Sequence, residues 1–568
     1  MYVIQEAKSQ ILNMLKAALG KGYVPTIDDL ESPPNPAMGN IAFPCFEMAK
    51  GEKTNPAELA KVLAKKIKVK DLIGKVEAKG PYVNFFFDQN EFGKSLLQEV
   101  SVAGEKYGAS TSGRGNKILV EYAAPNTLKE IHVGHLRNFV LGNAVINVLR
   151  TAGYDVVAAS YINDLGAHIA KTLWAINKFH KDEDPAPENR EEFLQKAYIE
   201  AVEKSAKTKK AQSEVSDLYK ALESGDRKWQ PLWKKTRKWS LDYLFGIFKE
   251  LGLTKDVQYY ESELTKRAHA IVKKLIKDGI ARESEGAIIV DLEDQKLGVN
   301  LLVRSDGTLL YNAKDLALAE RKEEDYQPDR SIYVVDARQS LALGQTFATM
   351  KLLGLEKNLS HLSYEFVTLK GGAMASRKGN VVRYEDFRDK MITMAREETA
   401  KRHEDWDDKQ LDKAARTIAF AAMKFPMLRQ DLDKMIVFDM KEALSFDGFS
   451  GPYILYTITR AKSILRKTKI KPKVSGEPFA EPIEGQLFAK LAEYPEVILG
   501  IASTNHISAL PQYLFDLAQL FSSYYEAVPV LQAKSDEVIA ARLATVKAVR
   551  QVLENGMHLL GIETVDEM

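Results

Sequence analysis

Two histidines three residues apart, His132 and His135, stand with Gly134 between them where a helical pattern begins. Both imidazoles therefore leave the same face of that helix's first turn. The turn also offers unpaired N–H groups and the positive end of the helix dipole, and a strand feeding such a helix start is an arrangement for holding phosphate. Taken alone, the tetrad His132-Val133-Gly134-His135 reads first as two histidines at the solvated start of a helix. A zinc site would need further ligands, and no nearby Cys or HExxH pattern supplies them, so no protein-held metal is expected. A second stretch, Gly371-Gly372-Ala373-Met374-Ala375-Ser376-Arg377-Lys378-Gly379-Asn380, is a glycine-bounded basic loop. Loops of this kind close over phosphates and supply charge as it develops, though a solitary one reads as a solvated basic turn.

Regular elements must position these residues. Ile118 to Ala123 is an apolar, β-branched run suited to a buried parallel strand, and Pro125-Asn126 makes a turn. The helix runs from near His132 to Gly153, with Val140, Leu141, Ala144, Val145, Val148 and Leu149 on its buried face. Asp155 to Ile162 follows as a second strand, completing one crossover unit of a parallel sheet. Farther on, Ser305-Asp306-Gly307-Thr308 reads as a hairpin turn, Leu310 to Ala319 enters a helix, and Ser331–Asp336 and Ser363–Thr368 read as strands. Beyond about 410 strand signals stop.

The chain divides accordingly. Residues 1–102 form a small α+β N-terminal domain, with helical patterns over 3–20 and 56–68 and a closing strand at Tyr82–Phe87. The Gly- and Ser-rich segment 103–116 reads as a linker. Residues 117–410 form a parallel-sheet α/β domain carrying a charged insertion over 177–239, and 411–568 form a helical bundle. The fold class is thus multidomain, α/β plus all-α.

At 568 residues the chain is too long for one core. Its net charge of +2 gives no global basic field, so nucleic acid would have to meet local patches. The single cysteine, Cys45, excludes an intrachain disulfide and fits a reducing compartment. The N-terminal helix carries charges throughout, unlike a signal peptide, and no segment approaches membrane-spanning length. A cytoplasmic location is expected.

Together the two phosphate-binding segments resemble the HIGH and KMSKS signatures of class I aminoacyl-tRNA synthetases, here His132-Val133-Gly134-His135 and the Met374–Lys378 region. VEYAAPNTLKEIHVGHLRN resembles the arginyl-tRNA synthetase form of the first signature. Leu310-Tyr311-Asn312-Ala313-Lys314-Asp315 is similar to that family's Tyr-x-x-x-Asp segment, and VVDARQSL to its Asp-x-x-Gln segment. SFDGFSGPYILYTITRAKSILRK resembles the helical anticodon-binding domain, and NPAMGNIAFPCFEMAKGEKTNPAELAKVL the additional tRNA-contacting domain. Ser376 replaces the second lysine of KMSKS, and Lys129 occupies the place where family members lacking that lysine carry one. Ala342 stands where a histidine is usual.

The resemblance implies a Rossmann-like catalytic domain that joins L-arginine to tRNA(Arg) with ATP, its Mg²⁺ carried on ATP. An arginyl-adenylate would form first, followed by transfer to the terminal adenosine's 2′-hydroxyl. It also implies a monomer that needs bound tRNA before activating arginine. His132, His135, Lys129, Arg377 and Lys378 would attend the triphosphate, with Gly134 making room for adenine and Met374, Ser376, Gly379 and Asn380 completing the loop. Glu121, Asn126, His135, Glu261, Tyr311, Asp315 and Gln339 would surround arginine. For tRNA, the basic run Lys462, Arg466, Lys467, Lys469, Lys471 and Lys473 could track phosphates or be a solvated helix end. Leu514, Leu517, Phe521, Tyr524 and Val528 read as core, whereas an exposed Tyr525 could stack on an unpaired base. The rivals are a same-fold enzyme for another substrate and a non-catalytic RNA-binding paralogue.

Overall fold

The computed structural model describes residues 2–19, 23–355, 358–370 and 382–568. In the N-terminal unit, β1 (Ile41–Pro44), β2 (Ile73–Lys79) and β3 (Tyr82–Phe87) form an antiparallel sheet in the order β1-β3-β2. Helices α1 (Val3–Leu19), α2 (Pro56–Lys66) and α3 (Gln89–Ala103) pack around it. Asn55 caps α2, with proline in the first turn where its missing N–H costs nothing. The segment read as a linker is held firmly: Tyr107 is 2% exposed and its hydroxyl donates to the Leu491 carbonyl at 3.2 Å.

The catalytic unit is built on β4 (Lys117–Glu121), α4 (Val133–Thr151), β5 (Asp155–Ile162), α5 (Ala167–Phe179), α6 (Arg190–Ser205), α7 (Lys209–Ser224), α8 (Gln230–Glu250), β6 (Val257–Tyr260), α9 (Glu261–Lys277), α10 (Tyr311–Tyr326), β7 (Arg330–Asp336), α11 (Ser340–Leu352) and β8 (Asn358–Tyr364). Its five strands are all parallel, in the order β8-β7-β4-β5-β6. The chain works outward from β4 in one direction and then returns to add β7 and β8 on the other side. The switch point between β4 and β7 is where an open α/β sheet holds its ligand.

Helix α4 covers that switch point. Its middle approaches the sheet closely, because a Cβ at Gly142 would overlap the Tyr122 ring. Its far end meets the C-terminal region, where Asn147 donates to the Leu559 carbonyl at 3.2 Å. On its second turn, fully buried Arg137 donates to the carbonyls of Glu365, Asp431 and Lys434. The helices of the charged stretch 177–239 enclose a small core of their own, in which Leu194, Ala197, Val215, Leu218 and Trp239 meet Ile169 and Leu173 of α5.

Three details differ from the sequence reading. The Ser363–Thr368 run is split: β8 ends at Tyr364, and Val367–Leu369 leaves the main sheet. That segment pairs in parallel with Ile436–Phe438, a strand lying within the region read as wholly helical. Three residues are too few for any periodicity to register. An antiparallel sheet of Ala281–Ser284, Ala287–Asp291 and Val299–Val303 also precedes α10. The turn at Ser305–Thr308 is present, but its second arm is one bridge, Val303 to Leu309.

In the C-terminal region, Leu514, Leu517, Phe521, Tyr524 and Val528 are all buried. Two cations of the basic run are already engaged. Lys462 pairs with Glu554 and Asp566, and Arg466 with Glu567. Lys467, Lys469, Lys471 and Lys473 are exposed. Tyr525 is 39% exposed, with the Arg460 guanidinium 5.4 Å from its ring centre.

Candidate active site

The carboxyl ends of β4 and β7 part to form a cleft of about 580 Å³ between α4, α10 and the start of α11. One side chain fixes the gap. Asn138 of α4 accepts from the Ala123 amide at 2.8 Å and donates to the Val334 carbonyl at 2.7 Å, so it bridges the two strand ends. The chain between β4 and α4 is tightly wound, with Ala123 and Leu128 in the left-handed region at φ +49° and +58°. Non-glycine residues persist there only when the surroundings enforce it, and such strain gathers at functional sites.

At one end of the cleft lie the two histidines, ring centres 3.8 Å apart. His132 caps α4: its Nδ1 accepts from the Gly134 amide at 3.1 Å, and the Nδ1 of His135 accepts from the His132 amide at 3.2 Å. A ring nitrogen that accepts carries no proton, so each neutral ring holds its hydrogen on Nε2. Burial, with Arg338 and Lys129 nearby, brings His132 down to about 4; burial and His132 bring His135 to about 3. Both are therefore uncharged donors at neutral pH. A Cβ at Gly134 would sit 2.9 Å from the His132 ring, so glycine is required there.

Lys129 lines the same end, and burial, then Lys171, lowers its pKa. The predicted residues Met374, Ser376, Arg377, Lys378, Gly379 and Asn380 lie outside the described residues. The chain that follows them reaches the tetrad. Val133 donates to the Val382 carbonyl at 3.3 Å, Tyr384 to the Ile131 carbonyl at 2.9 Å, and Arg383 pairs with Glu130 at 3.0 Å.

The other end is acidic. Glu121, Asn126, Tyr311, Asp315 and Gln339 all line the cleft. Glu121 is paired with Lys322 of α10, both buried. Asp336, nearer the histidines, is held at 2.7 Å by Arg338, the arginine that lies close to His132. Asp315 has neither an ion pair nor a hydrogen bond among the described residues, and burial, reinforced by Glu121, raises its carboxyl to about 7. Burial, with Glu261 nearby, also raises the Tyr311 phenol. Two further phenols, Tyr161 and Tyr333, form part of the wall, and the Tyr161 hydroxyl is buried without a partner among the described residues.

Glu261 stands apart from the other predicted residues. It lies behind the wall, 1% exposed, with Oε1 on the Lys314 ammonium at 2.8 Å. Sequence reasoning missed this pairing, and missed Asn138, Lys322 and Lys314. Their signal was polarity where the pattern is apolar: Asn138 sits beside Phe139 and Val140 on α4, and Lys322 lies seven residues past Asp315 on one face of α10. Ala342, where the family carries histidine, also borders the cleft.

Comparison with known proteins agrees from end to end. Residues 96–440 match the family model for the catalytic domain of class I tRNA synthetases (R). Residues 454–568 match the DALR anticodon binding domain, and 5–87 the arginyl tRNA synthetase N terminal domain. The arginine–tRNA ligase of Bdellovibrio bacteriovorus is 35% identical, with 98% of each chain covered. That of Clostridium perfringens is 34% identical over 95% of this chain and 96% of its own. Among solved structures, the arginyl-tRNA synthetase of Thermus thermophilus superposes with a TM-score of 0.79 at 26% identity, covering 99% of this chain and all of its own. The Plasmodium falciparum enzyme, at 18% identity and a TM-score of 0.78, shares the fold over 99% of both chains. With a switch-point cleft holding the tetrad at one end and, at the other, a carboxylate unpaired among the described residues, and with family matches in all three parts, the chain belongs to the arginyl-tRNA synthetases of class I.

Proposed function

We propose that this protein ligates L-arginine to tRNA(Arg) in an ATP-dependent reaction through an arginyl-adenylate. The observation that carries this reading is the two-ended cleft. Neutral Nε2–H donors stand at one end, and unpaired Asp315, with Tyr311 one turn before it, stands at the other. An arginine carboxylate oxygen attacks the α-phosphorus of ATP, the bond to the bridging oxygen breaks, and pyrophosphate leaves. Such a step depends on positioning and charge stabilisation more than on proton transfer. Neutral imidazoles suit it because they donate to phosphate oxygens without needing to be charged. Lys129 supplies positive charge beside them, with Arg377 and Lys378 joining from the loop. In the second step the terminal adenosine's 2′-hydroxyl attacks the adenylate carbonyl and AMP leaves.

The guanidinium meets Asp315, whose ionisation it restores, with the Tyr311 phenol beside it. Asn126 and Gln339 hold the amino and carboxylate ends. Mg²⁺ enters on the triphosphate: two of the three cleft carboxylates are occupied by cations and the third faces arginine, so a protein cage is not available. Phosphate contacts along Lys467 to Lys473 and stacking on Tyr525 would engage tRNA. The protein acts as a cytoplasmic monomer in this reading. ATP–pyrophosphate exchange with each of the twenty amino acids, with and without tRNA, tests it. Exchange is expected with arginine and only when tRNA is present; exchange with another amino acid, or none at all, would overturn it.

A further inference from the structure

The helices of the 177–239 stretch meet Lys314, behind the wall of the cleft's arginine end, through Glu223. Glu223 lies in the last turn of α7, where a carboxylate faces the negative end of the helix dipole, so the dipole disfavours it there. Its Oε1 accepts from the Lys314 ammonium at 3.2 Å and from the Tyr219 hydroxyl at 3.0 Å. Lys314 also donates to Glu261 and is 1% exposed. Residue 314 directly precedes Asp315 in the first turns of α10, so a fixed cation lies just behind a pocket that must accept another cation. Glu261 alone neutralises it poorly: burial raises that carboxyl to about 7, and its Oε2 is buried without a partner among the described residues.

We propose that Glu223 is a positioning residue for arginine binding: it neutralises Lys314 and holds it against α9, leaving the Asp315 carboxylate to the incoming guanidinium. The proposal rests on the reading above, and it gives the inserted helices a part in amino-acid selection. The two can be tested together by arginine-dependent ATP–pyrophosphate exchange on the full chain with tRNA present. Glu223→Gln is expected to raise KM for arginine on the order of tenfold while kcat and KM for ATP stay within about twofold. Lys314→Met in the Glu223→Gln background is expected to return KM toward the original value, because the charge to be balanced has gone; a merely structural role gives additive losses instead. Tyr219→Phe removes only the hydrogen bond that orients Glu223 and is expected to move KM the same way by about twofold. It carries the test if Glu223→Gln loses its native circular dichroism. An unchanged arginine KM in the folded variant, additive losses in the double variant, or equal losses for all substrates would overturn the proposal. An unmodified protein without arginine-dependent exchange would overturn the functional reading instead.

Discussion

Lys322 is paired with Glu121 at the end of β4, while Asp315, two turns earlier on the same helix, faces the cleft with no cation of its own among the described residues. The asymmetry makes Asp315 the point at which a guanidinium gains most. We expect Asp315→Asn to raise KM for arginine roughly a hundredfold, about 3 kcal/mol, with a much smaller change in KM for ATP. Steady-state aminoacylation of the isosteric variant measures this, and an arginine KM within a few-fold of the original would remove Asp315 from the pocket.

The same carboxyl predicts a pH dependence. Held near 7 by burial, with Glu121, Lys322, Glu261 and Lys314 around it, Asp315 is increasingly protonated below that pH, and arginine binding must then displace a proton. Arginine KM should rise as pH falls from 8 to 6, approaching about tenfold per unit, and Asp315→Asn should flatten the profile. Without arginine the sign reverses. A carboxyl raised above its unfolded value contributes stability that is present below the unfolded pKa and is lost as pH rises toward 7, so Asp315→Asn should melt higher than the original protein at pH 8. Calorimetry of both proteins at pH 5 and 8 would show it.

Neutral histidines should be silent where histidines usually titrate. His132 and His135 are expected to show no ¹⁵N chemical-shift titration between pH 5.5 and 8, and kcat no inflection near 6.5. His135→Ala should lower kcat on the order of 10²-fold through loss of a phosphate-facing donor. A titration midpoint near 6.5 for either ring would contradict the accepting role of its Nδ1.

Arg137 joins α4 to three backbone carbonyls in the interior. Arg137→Met keeps much of the volume but leaves those acceptors without donors. A loss of about 3 kcal/mol or more is expected in urea unfolding, distinguishable from catalytic effects because the substrate KM values of the folded fraction should change little.

The backbone plan was largely legible in the sequence, since β4, α4, β5 and β7 are long enough for their apolar spacing to show. The three-residue strands Val367–Leu369 and Ile436–Phe438 were not, because a pairing partner distant in the chain creates each. Val367–Leu369 becomes a strand only because Ile436–Phe438 lies alongside. At the site, residue types suggested which groups do chemistry but not which carboxylates are already matched. Glu121, Glu261 and Asp315 look alike as letters. Lys322 and Lys314 separate them, and both pairings cross between elements far apart in sequence. The stretch 177–239 looked like a peripheral charged addition for the same reason: the contact of Glu223 with Lys314 spans 91 residues.

Asn138 has a consequence for the shape of what the cleft admits. With its amide joined to both strand ends, a single rigid group extends the pairing of β4 and β7 to the mouth of the cleft, and the sheet cannot spread there to welcome a wider molecule without giving up one of these bonds. Adjustment to the ligand is left to the helical walls. The floor works as a gauge of fixed aperture, and the choice among side chains of similar length falls to whatever charge waits at its end.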